Sequence, residues 1–202
     1  MHKKSTFSTM GFAVLCFLAS LVFPSVSLAQ VPVFEIDHAE SSIKFNVKAS
    51  VAISGTFDTW DATVKLTSPD FSTAVLDIKI QASSVNSGSG MKDGKLKSKD
   101  FFDVKENPLI TFHSTKVVQT GPDTLEFDGD FTIRGVTKAE KLTFTITGKG
   151  TGAGSVVGTM AFDRKDYGMT KGIPLVKVAD RVEVIVDLKG KRVSGPPVVF
   201  QQ

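Results

Sequence analysis

The chain has 202 residues, carries 24 Lys and Arg against 21 Asp and Glu for a formal charge of +3, and contains one cysteine. So balanced a surface excludes a nucleic-acid partner, which needs clustered uncompensated cations, and a lone cysteine excludes an internal disulfide framework. The length suits one domain with a sizeable core.

The first stretch, "MHKKSTFSTMGFAVLCFLASLVFPSVSLAQ", has a basic start (His2, Lys3, Lys4), an apolar run from Gly11 to Phe23 and small residues leading into Ser27-Leu28-Ala29. It reads as a secretory signal peptide, residues 1–29, cleaved before Gln30. A retained anchor needs about 20 apolar residues; this run is shorter and Pro24 follows it, so no stable membrane insertion is expected. Leu15 precedes Cys16 where a lipoprotein signal wants a small residue. Cleavage removes Lys3, Lys4 and Cys16 but no acid, which takes the charge from +3 to +1 and leaves no thiol for catalysis or metal binding. The expected location is the periplasm.

From residue 30 to 191 the pattern is alternation, the signature of strands with one wet and one dry face. "SSIKFNVKA" aligns Ile43, Phe45 and Val47, and "AVLDIKIQA" aligns Leu76, Ile78 and Ile80. "LITFHS" offers Ile110 and Phe112, "LEFDGDFTIRG" offers Leu125, Phe127, Phe131 and Ile133, and "KLTFTITG" offers Leu142, Phe144 and Ile146. Met160 and Phe162 follow in "VVGTMAFDR", then Val182, Val184, Val186 and Leu188 in "DRVEVIVDLKG". In "VAISGTFDTWDATVKL" the apolar positions change from odd (Val51, Ile53, Phe57) to even (Trp60, Ala62, Val64, Leu66) near Asp58 and Thr59. Either a β-bulge bends one strand there or a tight turn joins two. Turn residues ("TSPD", "NSGSG", "QTGPD", "IRGVTK", "TGAGS") separate the strands.

About eight antiparallel strands, each apolar on one face, must hide those faces together in a sandwich or a closed barrel. Eight strands closed on themselves leave room for one small ligand. The charged segment after "NSGSG" is the one helical candidate, with Ser98 as N-cap before "KDFF" and Pro108 ending it. The end of the chain, residues 192–202, reads as a peripheral tail.

No catalytic constellation stands out. His38 and His113 sit in neither a nucleophile elbow nor a metal pair, and the local carboxylate pairs Asp37/Glu40 and Asp100/Asp103 are ordinary for solvated loops. No catalytic residue, metal or cofactor is therefore expected. The stronger feature is aromatic bulk on inward faces, and Phe101 and Phe102 stand out because they sit inside the charged run "MKDGKLKSKDFFDVKENPLITF". Arg164 continues the inward series of Met160 and Phe162. An unpaired buried charge is costly, so Arg164 snorkels out, pairs with a carboxylate such as Asp93, or meets an anionic headgroup at a barrel mouth beside Lys92, Lys95 and Ser98.

The segments "SSIKFNVK", "DGKLKSKDFFDVKENPLITFHSTKV", "DGDFTIRGVTKAEKLTF" and "FDRKDYGM", in that order and spacing, resemble the YceI-like family of bacterial periplasmic proteins. The resemblance implies an all-β, lipocalin-like eight-stranded antiparallel barrel with a short helical segment over its opening. It also implies a tunnel for a long apolar chain, a polyisoprenoid or an isoprenoid quinone-like lipid, and Phe101 and Phe102 as part of its cover. The tail's path would run along Phe45, Trp60, Ile78, Ile80 and Leu96, past Phe101 and Phe102, and on to Phe112, Phe131, Phe144 and Phe162. Asp93, Lys95, Ser98 and Arg164 would fix the polar end. The chain departs from the family pattern at Lys95 and at Ala49, where histidines are usual. The expected protein is a non-catalytic lipid carrier, monomer or homodimer; an enzyme using Asp93 or His113 as base, and a filled barrel acting through its outside, are the alternatives.

Overall fold

The computed structural model describes residues 30–50, 53–172 and 176–200. The expected leader, Val51 of the series that slips near Asp58, and the last two residues of the tail lie outside them.

Among the described residues, eleven strands form one antiparallel sheet: β1 (Val33–Ile36), β2 (Ser42–Ala49), β3 (Ile53–Phe57), β4 (Trp60–Lys65), β5 (Val75–Gln81), β6 (Val85–Asn86), β7 (Leu109–Gly121), β8 (Thr124–Ile133), β9 (Val136–Thr147), β10 (Ala153–Asp163) and β11 (Val178–Ser194). The hydrogen-bonded order is β4-β5-β7-β8-β9-β10-β11-β2-β3-β6, with β1 on the far end of β11. Three neighbouring pairs are interrupted single staves: β1 with β2 along β11, β3 with β4, and β5 with β6. The ladder therefore closes on itself as an eight-staved barrel, and closure removes the free edges that an open sheet would present.

The closure depends on the slip near Asp58. It is not a hairpin, because both halves of the stave from 53 to 65 pair with the same partner: Phe57 lies opposite Val85 and Trp60 opposite Ile80. Between them Asp58 N–H donates to Ser84 O at 3.1 Å and Gln81 N–H to Thr59 O at 3.0 Å. Two residues thus face four, a wide irregularity that bends both staves and lets β3 reach β2 while β4 stays on β5.

The alternating residues point inward as expected: Leu76, Ile78, Ile80, Ile110, Phe112, Leu125, Phe127, Phe131, Ile133, Leu142, Phe144, Met160 and Phe162 are all buried. Crowding is relieved by missing side chains. A Cβ on Gly129 would lie 2.8 Å from the Phe112 ring and 2.5 Å from His113 O, and one on Gly158 would lie 2.4 Å from the Phe144 ring. The β8–β9 connection is a two-residue turn with Arg134 (φ 55°) and Gly135 (φ 72°) both left-handed, the backbone a tight hairpin requires.

Two segments differ from expectation. Helix α1 spans Gly90–Lys97, earlier than "KDFF", so Ser98 ends the helix instead of starting it, its hydroxyl donating to Lys95 O at 2.7 Å. The tail is docked: β11 runs on to Ser194, and Val199 exchanges backbone hydrogen bonds with Phe71 and Pro69 while Phe200 stacks on Phe71 at 5.4 Å.

Candidate functional site

Among the described residues, two apolar cavities stand out in the barrel interior. One of about 260 Å³ lies beneath α1; its walls include Phe45, Ile80, Phe131 and Phe162 from the staves and Met91, Leu96, Phe101 and Phe102 from the covering segment. The other, about 190 Å³, lies at the opposite end among Leu76, Leu125, Phe127, Phe144 and Leu188, and is covered by Phe71, Val198 and Phe200. Lys149 Nζ sits 4.4 Å from the centre of the Phe200 ring over that second cover.

The cover over the first cavity answers the puzzle of Phe101 and Phe102. Both rings are buried beneath a charged exterior, and Phe102 continues an aromatic chain with Phe57 (5.8 Å) and Phe45 (5.6 Å). Leu96 O accepts from Phe102 N–H at 2.9 Å, and Asp103, at φ 51°, turns the chain back so that its N–H reaches Ser98 O. Lys95 salt-bridges Asp100 at 2.7 Å and lies 5.9 Å from the Phe101 ring. That hydrogen bond, against some cost of burial, holds the Asp100 carboxyl below its usual range, and the charges of Lys95, Lys171 and Lys99 add to the effect. Lys92 and Lys95 stand among the residues that line the cavity. Met91, on the cavity wall yet 88% exposed, marks its mouth.

Of the residues expected to meet a ligand, Phe45, Ile80, Lys95, Leu96, Phe101, Phe102, Phe131, Phe162 and Arg164 line this cavity, and Phe144 lines the other. Five line neither. Ile78 and Phe112 are buried between the two cavities. Trp60 is half-buried and packs on His38, ring centres 4.5 Å apart. Ser98 serves the helix end, as above. Asp93 does not pair with Arg164: it accepts from Ser87 N at 2.8 Å and Ser87 Oγ at 2.6 Å, pinning the turn that launches α1, and the hydroxyl bond is the chief reason its carboxyl lies below the ordinary value.

Arg164 pairs with a carboxylate, but with Asp180 and not Asp93. Only 6% exposed, it donates from Nε to Ala179 O at 3.2 Å, from Nη1 to Lys171 O at 2.9 Å and to Met169 O, and from Nη2 to Asp180 Oδ1 at 2.9 Å. Asp180 is also bridged by Lys165 at 2.7 Å, the main cause of its lowered carboxyl pKa. Arg164 is thus a clamp that ties the β10 end to the β11 start at the cavity rim. The sequence reading missed two further residues near this clamp. Arg134, read only as a turn residue, donates from Nη2 to Lys99 O at 2.8 Å and from Nη1 to Gly168 O, latching the cover to the rim. Tyr167 is fully buried, edge-on to Phe131 and Phe162, with its hydroxyl donating to Glu140 at 2.9 Å.

Burial first, then the Glu140 hydrogen bond and the negative charges of Glu140 and Asp166, push the Tyr167 phenol far above its ordinary value. A group raised in the folded state contributes stability that is complete below its unfolded pKa of about 10 and is lost as pH rises past that value. Because Tyr167 is the one tyrosine, phenolate absorbance should stay flat in native protein through ordinary tyrosine titration and appear only together with loss of circular dichroism. A reversible phenolate signal with the fold intact would contradict this placement.

His113 Nδ1 lies 2.6 Å from Asp77 Oδ1, but on the outer face of the barrel. The neighbouring Ser114 points the other way, buried, where its Oγ accepts from Leu76 N at 2.8 Å at a bulge in β7. Imidazole and hydroxyl therefore lie on opposite sides of the sheet.

A closed antiparallel barrel with a greasy interior and a helical cover defines a lipocalin-like fold. The YceI-like domain matches residues 34–190, and the chain belongs to that family. A UPF0312 protein of Staphylococcus aureus (strain N315) is 32% identical over 144 residues, 67% of this chain and 81% of that protein. The crystal structure of Burkholderia cenocepacia BcnA superposes with a TM-score of 0.69 at 24% identity, covering 77% of this chain and 99% of that one. A polyisoprenoid binding domain from Saccharophagus degradans, implicated in plant cell wall breakdown, superposes with a TM-score of 0.61 at 13% identity, covering 80% and 99%.

Proposed function

We propose that the protein is a periplasmic carrier that sequesters the apolar chain of an amphiphile, of the polyisoprenoid or isoprenoid quinone type, and performs no chemistry on it. The observation that carries this reading is the cavity of about 260 Å³ walled by Phe, Ile, Val and Met beneath the α1 cover. An engineered cavity of about 150 Å³ already stays dry and binds benzene, and each buried methylene contributes roughly 0.8 kcal/mol before the losses of association. The description of the Saccharophagus degradans domain as polyisoprenoid binding supports the choice of ligand class. Lys92 and Lys95 on the cavity wall beside Met91 support an anionic head at the mouth.

The test is native mass spectrometry and solvent extraction of protein purified from its own periplasm, followed by titration with a prenyl phosphate. Phe102→Ala should raise the Kd at least about tenfold, the equivalent of little more than one or two buried methylenes. Repeated recovery of empty protein, together with no uptake of any prenyl chain, would defeat the carrier reading.

A further inference from the structure

The two cavities share no wall residue. Along four of the staves the inward series runs from one cavity to the other through a residue that lines neither: Ile80, then Ile78, then Leu76 on β5; Ile133 and Phe131, then Gly129, then Phe127 on β8; Phe162, then Met160, then Gly158 and Val156 on β10; Val184, then Val186, then Leu188 on β11. Phe112 on β7 and Leu142 on β9 are likewise buried and line neither cavity, with Ile78 registered directly against Phe112. This waist of Ile78, Phe112, Leu142, Met160 and Val186 is buried and divides the barrel into two compartments.

Resting on the carrier reading, we propose that the waist sets the protein's response to chain length and that Met160 is its movable member. If about 150 Å³ accommodates the six carbons of benzene, a cavity of 260 Å³ accommodates about ten, two isoprene units. A longer tail reaches the second compartment only by parting the waist. Phe112 has little freedom to yield, because its ring lies over Gly129, at a distance where even a methyl would collide. Leu142, Ile78 and Val186 are branched. Met160 is unbranched, with three soft torsions, and its stave neighbour two residues away is Gly158, whose missing Cβ is already covered by the Phe144 ring. Rotation of the thioether opens the waist at the smallest cost, and that cost falls only on chains longer than two units.

The experiment measures Kd for prenyl phosphates of two, four and eight isoprene units on the full mature protein and on Met160→Ala, with Leu142→Ala as the second variant should the first fail to fold. In the wild type, affinity should rise steeply with the first two units and then break to a shallower slope. Met160→Ala should bind the two-unit probe as the wild type does, but the eight-unit probe at least about tenfold tighter, the size expected when one or two methylenes of cost are removed. A wild-type Kd that falls smoothly through eight units, or a variant-to-wild-type ratio that is the same at two and eight, overturns the proposal and leaves the carrier reading standing. No binding of any length by either protein overturns both.

Discussion

Arg164→Ala should lower stability by about 3 kcal/mol, within the range for removing one member of a buried charged network, and Arg164→Lys should restore only part of it. The guanidinium satisfies three backbone carbonyls and one carboxylate from a single planar group. Asp180 keeps Lys165 at 2.7 Å when Arg164 is lost, so little of the cost comes from that carboxylate. It comes chiefly from the buried carbonyl of Met169, a cavity-lining residue that loses its donor, with the part-buried carbonyls of Lys171 and Ala179 adding less; an unsatisfied buried polar group costs about 1–3 kcal/mol. Lysine keeps the charge but not the fork geometry that spans three acceptors at once. The measurement is the urea midpoint of each variant at constant m. An alanine variant within 1 kcal/mol of the wild type would show that the clamp is dispensable. A lysine variant equal to the wild type would show that charge, not geometry, holds the rim.

How far the fold could be read from sequence follows from which interactions are local. Alternation is local, so the inward faces of β2, β5, β8, β10 and β11 were legible from Ile43, Leu76, Phe127, Phe162 and Val184. Closure is not local. The slip at Asp58 and Thr59 was visible, but its meaning lay in a partner stave some twenty residues away whose own four residues bulge opposite it. The helix was placed too late because Gly90 and Gly94 weaken its own propensity, whereas the Ser87–Asp93 bonds that start it are a tertiary-scale device.

The same division governs the site. Phe101 and Phe102 were legible because two rings in a charged run have only one stable destination. Arg164 was legible as an anomaly but not as a clamp, since its acceptors are mostly backbone carbonyls, which carry no side-chain signal. Arg134 was hidden for the same reason: its acceptors are the carbonyls of Lys99 and Gly168. The waist escaped detection entirely. Ile78, Phe112 and Met160 have the same hydrophobic pattern as their neighbours, and only their level along the barrel distinguishes them from side chains that face a void.

Phe131→Ala should cost about 3–5 kcal/mol, the usual range for deleting a buried phenylalanine ring, which lowers Tm by on the order of 10 °C in a domain of this size. Phe131 is buried, packs on Phe162 at 5.1 Å and on Tyr167 at 5.4 Å, and forms part of the wall of the α1 cavity. Removing the ring enlarges that cavity, and an unfilled void is what makes the substitution expensive. A bound prenyl chain can occupy the added space, so a two-unit probe held at about 100 times its wild-type Kd, which stabilises the wild type by about 2.7 kcal/mol, should raise the Tm of Phe131→Ala by more than it raises that of the wild type. Phe144→Ala supplies the control. It deletes an equally buried ring, but from the wall of the other cavity, beyond the waist, so the same probe should leave its added void empty and recover no more than the wild-type increment. Equal recovery in both variants would mean that the short chain reaches both compartments freely. No recovery in either, with the probe present at saturating concentration, would mean that the interior takes no chain at all and that the barrel acts through its outer surface.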